Sequence, residues 1–246
     1  MRLVRGRAAD PATDRDLTRR LLAEAGDDGA GEPAVRAWTP HRQVAFGRRD
    51  ARETGYDRAV AAAESRSFPA VERSVGGRAV AYTGRTLAFA WLRPTDGART
   101  GLDDRYETGV DVVVDALEAV GVDARAGEPP RSFCPGDHSV RTDGGKVAGI
   151  AQRVTRGAAL VAGCVVVADD EPIAAVLDPV YDALGVAFDP DTVGSVAAAG
   201  GPSDPTVLAR ALEAAVLDRA SVGPADRTVL SAAEAAEAAE GAGAVD

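Results

Sequence analysis

Residues 131–167, RSFCPGDHSVRTDGGKVAGIAQRVTRGAALVAGCVVV, constrain the fold more than any other stretch of the chain. Residues 138–141 read as a strand, Asp143-Gly144-Gly145 as a tight turn, and residues 147–153 as the return strand. Residues 158–167 follow as an apolar run bounded by turn residues, which is the signature of a strand buried at the centre of a sheet. Strands joined this closely pair antiparallel.

The same stretch concentrates unusual chemistry. Lys146 is the only lysine, and the other 27 of the 28 basic residues are arginine. A compact ammonium fits beside a carbonyl or carboxylate oxygen where a planar guanidinium is too wide, so a single lysine in an arginine-rich chain points to such a place. Gly144, Gly145 and Gly149 around it let backbone or ligand approach closely. Twelve residues upstream, Cys134 sits in a Cys-Pro-Gly turn. A thiol on a turn and an ammonium on the following hairpin suit acyl transfer. The alternatives are an exposed turn lysine and a small buried cysteine that serves packing. Cys164, the other cysteine, lies within the apolar run and reads as packing.

Helical spacing marks residues 14–25, with Asp14 as a plausible cap, and residues 50–65, 103–120, 171–184 and 206–220. Short strands are expected at 34–38 and 43–46, on either side of Thr39-Pro40-His41. Residues 71–92 read as an antiparallel meander turning at Gly76-Gly77 and at Thr83-Gly84. The Gly-Gly element lacks the glycine spacing of a dinucleotide fold and the Lys-Ser/Thr of a P-loop. Flanked by Arg73 and Arg78, it can still offer backbone N–H groups to a carbonyl or an anion. Mixed, mainly antiparallel strands with interspersed helices give an α+β class. The expected organisation is one domain over residues 1–222 and an Ala/Glu-rich tail over 223–246, too poor in bulky side chains to dock.

Composition removes several function classes. A net charge of −10 speaks against non-specific nucleic-acid binding. Acidic excess with arginine replacing lysine suggests a salt-adapted cytoplasm. Two cysteines and no signal peptide fit a reducing, cytoplasmic setting, and no apolar run approaches a membrane span. Two histidines far apart in sequence do not build a structural zinc site.

Two stretches in this order, RSVGGRAVAYTGRTLAFAW and GGKVAGIAQRVTRGAALVAG, resemble the catalytic domain of the biotin/lipoate protein ligase family. The Ser-Phe-Cys-Pro-Gly run ahead of the lysine resembles the cysteine-dependent octanoyl/lipoyl transferase branch of the lipoate–protein ligase A-like proteins. The resemblance implies the class II synthetase-like fold of that family. It makes Cys134 the nucleophile and Lys146 the residue that holds the acyl carbonyl. Arg73, Gly76 and Gly77 would form one wall of an acyl slot, with Arg78 and Tyr82 beside them, and Ala148 and Gly149 would form the other.

The implied reaction transfers a lipoyl or octanoyl group, through a cysteine thioester, to the acceptor lysine of a lipoyl-domain protein. Expected partners are 2-oxoacid dehydrogenase E2 and the glycine-cleavage H protein, with no nucleic acid and no membrane. Amide donor and amide product are nearly isoenergetic, so this path needs no cofactor. Cys134 needs activation because a free thiol is mostly protonated at neutral pH. Lys146 is the obvious cation for that, with Asp137 or His138 as candidate proton carriers. An alternative is an ATP- and Mg-dependent lipoate or biotin ligase using the free acid, in which Cys134 is incidental. A third reading is a non-catalytic relative that binds acylated carriers.

Overall fold

The computed structural model describes residues 1–26, 31–73, 77–95 and 101–242, the last four of these by their main chain alone. Eleven strands and six α-helices are found among them. The larger sheet uses β1 (Arg2–Arg5), β2 (Ala34–Trp38), β6 (Thr86–Pro94), β7 (Arg125–Ala126), β8 (Ser139–Thr142), β9 (Gly145–Val154), β10 (Ala158–Val166) and β11 (Thr228–Ser231). Their spatial order is β11-β1-β2-β6-β10-β9-β8-β7. The β11/β1 and β1/β2 pairs are parallel and the others antiparallel. A smaller sheet holds β3 (Gln43–Phe46), β4 (Ala70–Glu72) and β5 (Val80–Tyr82) in the order β4-β3-β5.

The helices are α1 (Pro11–Glu24), α2 (Tyr56–Glu64), α3 (Leu102–Ala119), α4 (Asp170–Leu184), α5 (Pro205–Arg219) and α6 (Ala232–Ala242). Strand β10 is central, as its apolar run predicts, and pairs with β6 over its whole length, from Ala158 opposite Pro94 to Val166 opposite Thr86. Its side chains alternate between the two faces of the sheet, as the two-residue period requires. Val161 and Val165 join the cluster under α3 and α5 with Val113, Leu117 and Leu212. Leu160 packs with Leu17 and Leu21 of α1, and Cys164 and Val166 with the small sheet and α4. Each such aliphatic side chain contributes about 1.5–3 kcal/mol by leaving water, so this alternation fixes the register.

Three expectations are corrected. Asp14 does not cap α1. Asp10 does, accepting from the Ala12 and Thr13 amides, while Asp14 is buried and paired with the fully buried Arg36 of β2. Asp14 would have been a sound cap by composition, but only the tertiary fold could show that Arg36 claims its carboxylate. Residues 71–92 are not a meander. Strands β4 and β5 both pair with β3, which lies between them, and β6 leaves for the large sheet. Local alternation marks strands but not which strand intervenes. Gly77, ahead of β5, lies so close to Gly47, just after β3, that a Cβ on Gly47 would stand 1.7 Å from the Gly77 carbonyl oxygen.

The tail also docks. β11 runs in parallel register with β1 from Arg2/Thr228 to Arg5/Ser231, and α6 buries Ala232 and Ala235 beside α1. Main-chain hydrogen bonds to a sheet edge need no bulky side chains, which is why composition predicts nothing here.

Candidate active site

The site lies where the large sheet meets the small one. The loop after β7 carries Cys134 across the end of this junction, β9 supplies Lys146, and the segment after β4 supplies Arg73. Cys134 is half-buried and packs against the core shared by Phe46, Phe133, Cys164 and Tyr181. Its φ is +42°, in the left-handed region that a side chain with a Cβ rarely adopts. Such a backbone costs on the order of 1–3 kcal/mol and persists only where its surroundings over-determine it.

Three contacts do so. The Cys134 amide donates to the Tyr181 hydroxyl at 2.5 Å, which in turn donates to the Ala79 carbonyl at 2.9 Å. The Cys134 carbonyl accepts from Lys146 Nζ at 3.0 Å. The Cys134 sulfur stands 3.2 Å from a guanidinium nitrogen of Arg73. That same nitrogen also donates to the carbonyl of Arg78.

Lys146 is 0 % exposed, so it is not a turn lysine that drifted into the sequence. Its ammonium has three hydrogens. They are directed at Glu128 Oε2 (2.9 Å), the Phe133 carbonyl (2.9 Å) and the Cys134 carbonyl (3.0 Å). Gly149, three residues along β9, is in van der Waals range, since a Cβ there would lie 3.5 Å from Lys146 Cε. The amide of Gly194 caps the Lys146 carbonyl at 2.9 Å and so holds β9 in place.

These charges separate the two cysteines. Burial pushes the Cys134 thiol up, but the cations of Arg73 and then Lys146, with the Arg73 hydrogen bond, outweigh it and bring the thiol below its usual range. Cys164 is buried in the core and is pushed up to about 12, chiefly by burial. Of the two cysteines, Cys134 is the one whose surroundings favour the thiolate.

The other expected residues divide. A Cβ on Gly77 would lie 3.8 Å from the Cys134 sulfur, so this glycine borders the thiol. Gly76 lies outside the described residues. The Arg78 guanidinium turns to Glu53 (2.8 Å) and the fully buried Asp50 (3.2 Å), and its carbonyl serves Arg73. Burial raises the Tyr82 phenol well above its ordinary range, with Cys164 adding to it, so it stays neutral beside the same core. Ala148 packs with Val165 in the core under α3, whereas Gly149 is beside Lys146. His138 stacks on Tyr106 of α3 with ring centroids 3.7 Å apart, and Asp137 is exposed. A cavity of about 160 Å³ lined by Gly47, Arg48, Ala51, Arg52 and Glu72 has Arg73 as its shared wall.

Sequence reasoning missed Glu128, Tyr181 and the direct contact of Arg73 with the sulfur. Tyr181 carries the one hydroxyl on the apolar stripe Ile173, Val176, Leu177, Val180, Leu184 of α4, a signal that was available. Glu128, in Gly-Glu-Pro-Pro, carried none.

The profile of the lipoyl protein ligase A/B catalytic domain matches residues 10–207. The chain belongs to that family. It is 34% identical over 142 residues to an octanoyl-GcvH:protein N-octanoyltransferase of Exiguobacterium sibiricum, covering 57% of this chain and 50% of that protein. It is 28% identical over 142 residues to a lipoyl-GcvH:protein N-lipoyltransferase of Listeria monocytogenes, covering 58% and 49%. The chain thus spans about half the length of the curated relatives it matches. Among solved structures, a lipoate-protein ligase A bound with ATP superposes with a TM-score of 0.75 at 20% identity, covering 97% of this chain and 91% of that one. A bi-partite lipoate protein ligase from Thermoplasma acidophilum gives 0.70 at 18%, covering 97% and 89%. At these identities the likeness concerns the fold, the mixed α+β catalytic fold of the lipoate ligases. No helix among the described residues is long and apolar enough to cross a membrane.

Proposed function

We propose that this protein moves an octanoyl or lipoyl group from the lysine of one carrier protein to the lysine of another, through a thioester on Cys134. The observation that carries the reading is the 3.2 Å contact between Arg73 and the Cys134 sulfur, in a thiol held below its usual pKa.

The thiolate attacks the carbonyl carbon of the acyl-lysine amide and forms the C–S bond. The oxyanion of the tetrahedral intermediate develops beside Lys146, whose ammonium already gathers carbonyl oxygens. The C–N bond breaks, and the leaving lysine takes a proton from water. The neutral amine of the acceptor lysine then attacks the thioester, the C–S bond breaks, and the thiolate returns as that amine gives up its proton. One amide replaces another, so no ATP or metal is required for the balance. Gly77 and Gly149 leave room along the chain's path, and an eight-carbon acyl group is recognised by burial at about 0.8 kcal/mol per methylene.

The carriers that fit are the glycine-cleavage H protein, which the relatives' names identify for those enzymes, and the lipoyl domains of 2-oxoacid dehydrogenase E2. A reducing cytoplasm would keep Cys134 as a thiol. The test is transfer from octanoylated H protein to an unmodified lipoyl domain in the absence of ATP. Transfer supports the reading. ATP–pyrophosphate exchange driven by free lipoate, without carrier-to-carrier transfer, would replace it with the ligase.

A further inference from the structure

We propose that Glu128 is the positioning residue of this site, a fixed pivot that holds the Lys146 ammonium while one of its other two bonds is exchanged for the acyl carbonyl. The inference rests on the acyl-transfer reading above and adds to it a residue and a motion.

An ammonium has three donors, and Lys146 directs all three at this chain's own acceptors. With no donor left over, Lys146 cannot meet an acyl oxygen until one of those bonds opens. The three are not equivalent. The bonds to the Phe133 and Cys134 carbonyls are to neutral acceptors, whereas the bond to Glu128 joins opposite charges and is the stronger kind. The carbonyl of an acyl group is a like-for-like replacement for a peptide carbonyl and not for a carboxylate. The exchange therefore takes place at Cys134 or Phe133, and Glu128 stays.

Glu128 is itself fixed. Its second oxygen accepts from the hydroxyl of Ser132, which is fully buried. Ser132, Phe133 and Cys134 follow one another, so the loop that carries the nucleophile closes around the ammonium with Glu128 at its root. Releasing the Cys134 carbonyl frees the nucleophile's own backbone, held at φ +42°, at the moment the acyl group arrives. A second consequence is electrostatic. The Glu128 carboxylate offsets the Lys146 charge, which leaves Arg73 as the principal cation at the sulfur and reserves Lys146 for the oxygen.

The test uses Glu128→Gln, which keeps the shape and removes the charge, alongside Glu128→Asp, in the full chain. Two readouts are taken: the rate of thioester formation from an octanoylated carrier, and the pH profile of Cys134 alkylation by iodoacetamide, each also in a Lys146→Met background. Glu128→Gln is expected to slow thioester formation on the order of 10²-fold with the carrier KM little changed, as for a misplaced catalytic group. It is expected to move the alkylation profile to lower pH, because the Lys146 charge is no longer offset. In the Lys146→Met background that displacement should vanish, and Glu128→Asp should recover part of the rate. An unchanged rate and profile would overturn the proposal, as would a displacement of equal size without Lys146. Absence of a thioester in the unsubstituted protein would instead sink the transfer reading, while the alkylation profiles would still decide whether Glu128 acts through Lys146.

Discussion

Arg73 and Lys146 divide one residue between them: the guanidinium meets the Cys134 sulfur at 3.2 Å, and the ammonium meets the Cys134 carbonyl at 3.0 Å. The thiol therefore has its own cation, distinct from the one placed for carbonyl oxygens. Replacing Arg73 by Met should raise the Cys134 pKa, since burial alone pushes the thiol up and Arg73 is the largest opposing influence. The iodoacetamide profile should move to higher pH, and acyl transfer at neutral pH should fall about 10²-fold. An unmoved profile would assign the thiolate to another group.

For Lys146, charge alone does not satisfy the position. Lys146→Arg must fit a wider, planar head into a site with no exposure and three acceptors spaced for an ammonium. Transfer should fall by on the order of 10²–10³ in Lys146→Arg, close to the loss in Lys146→Ala. Lys146→Ala should also lose roughly 2–4 kcal/mol in urea unfolding, because it leaves two carbonyls and a partly buried carboxylate without their donor. Near-native transfer by the arginine variant would remove Lys146 from the mechanism.

Tyr181→Phe deletes a hydroxyl that joins the Cys134 loop to the β5 side of the site. The Cys134 amide and the Ala79 carbonyl lose their partner together. The expected cost is about 1–3 kcal/mol of stability, with slower alkylation of Cys134 as its loop loosens. Unfolding and alkylation rates measured on one preparation check both parts.

Deleting residues 227–246 removes β11 and α6 and bares the edge of β1. The truncated protein should unfold several degrees lower and aggregate more readily, because an unpaired strand edge is a template for association. A melting temperature equal to that of the full chain would show that the pairing contributes nothing.

The strands and helices were legible where periodicity was strong. Residues 158–167 and 171–184 fall almost residue for residue on β10 and α4. The pairing of β3 between β4 and β5 was not legible, since it is set by contacts some thirty residues apart. The docking of β11 was not legible either, because main-chain pairing leaves no mark on composition. At the site, Cys134 and Lys146 stood out by rarity and by their turn residues. Arg73 was expected in the slot wall through the family resemblance, but its contact with the sulfur was not legible, and Glu128, one acid among many, carried no signal. Both contacts come from where the loop after β7 and the end of β4 bring these side chains.

The most direct measurement is intact mass of the protein mixed with octanoylated carrier, without ATP, for the unsubstituted chain, Cys134→Ala and Cys164→Ala. The account predicts a thioester-linked octanoyl adduct, released by hydroxylamine, in the unsubstituted chain and in Cys164→Ala, and none in Cys134→Ala. Carrier-to-carrier transfer that persists in Cys134→Ala would contradict it.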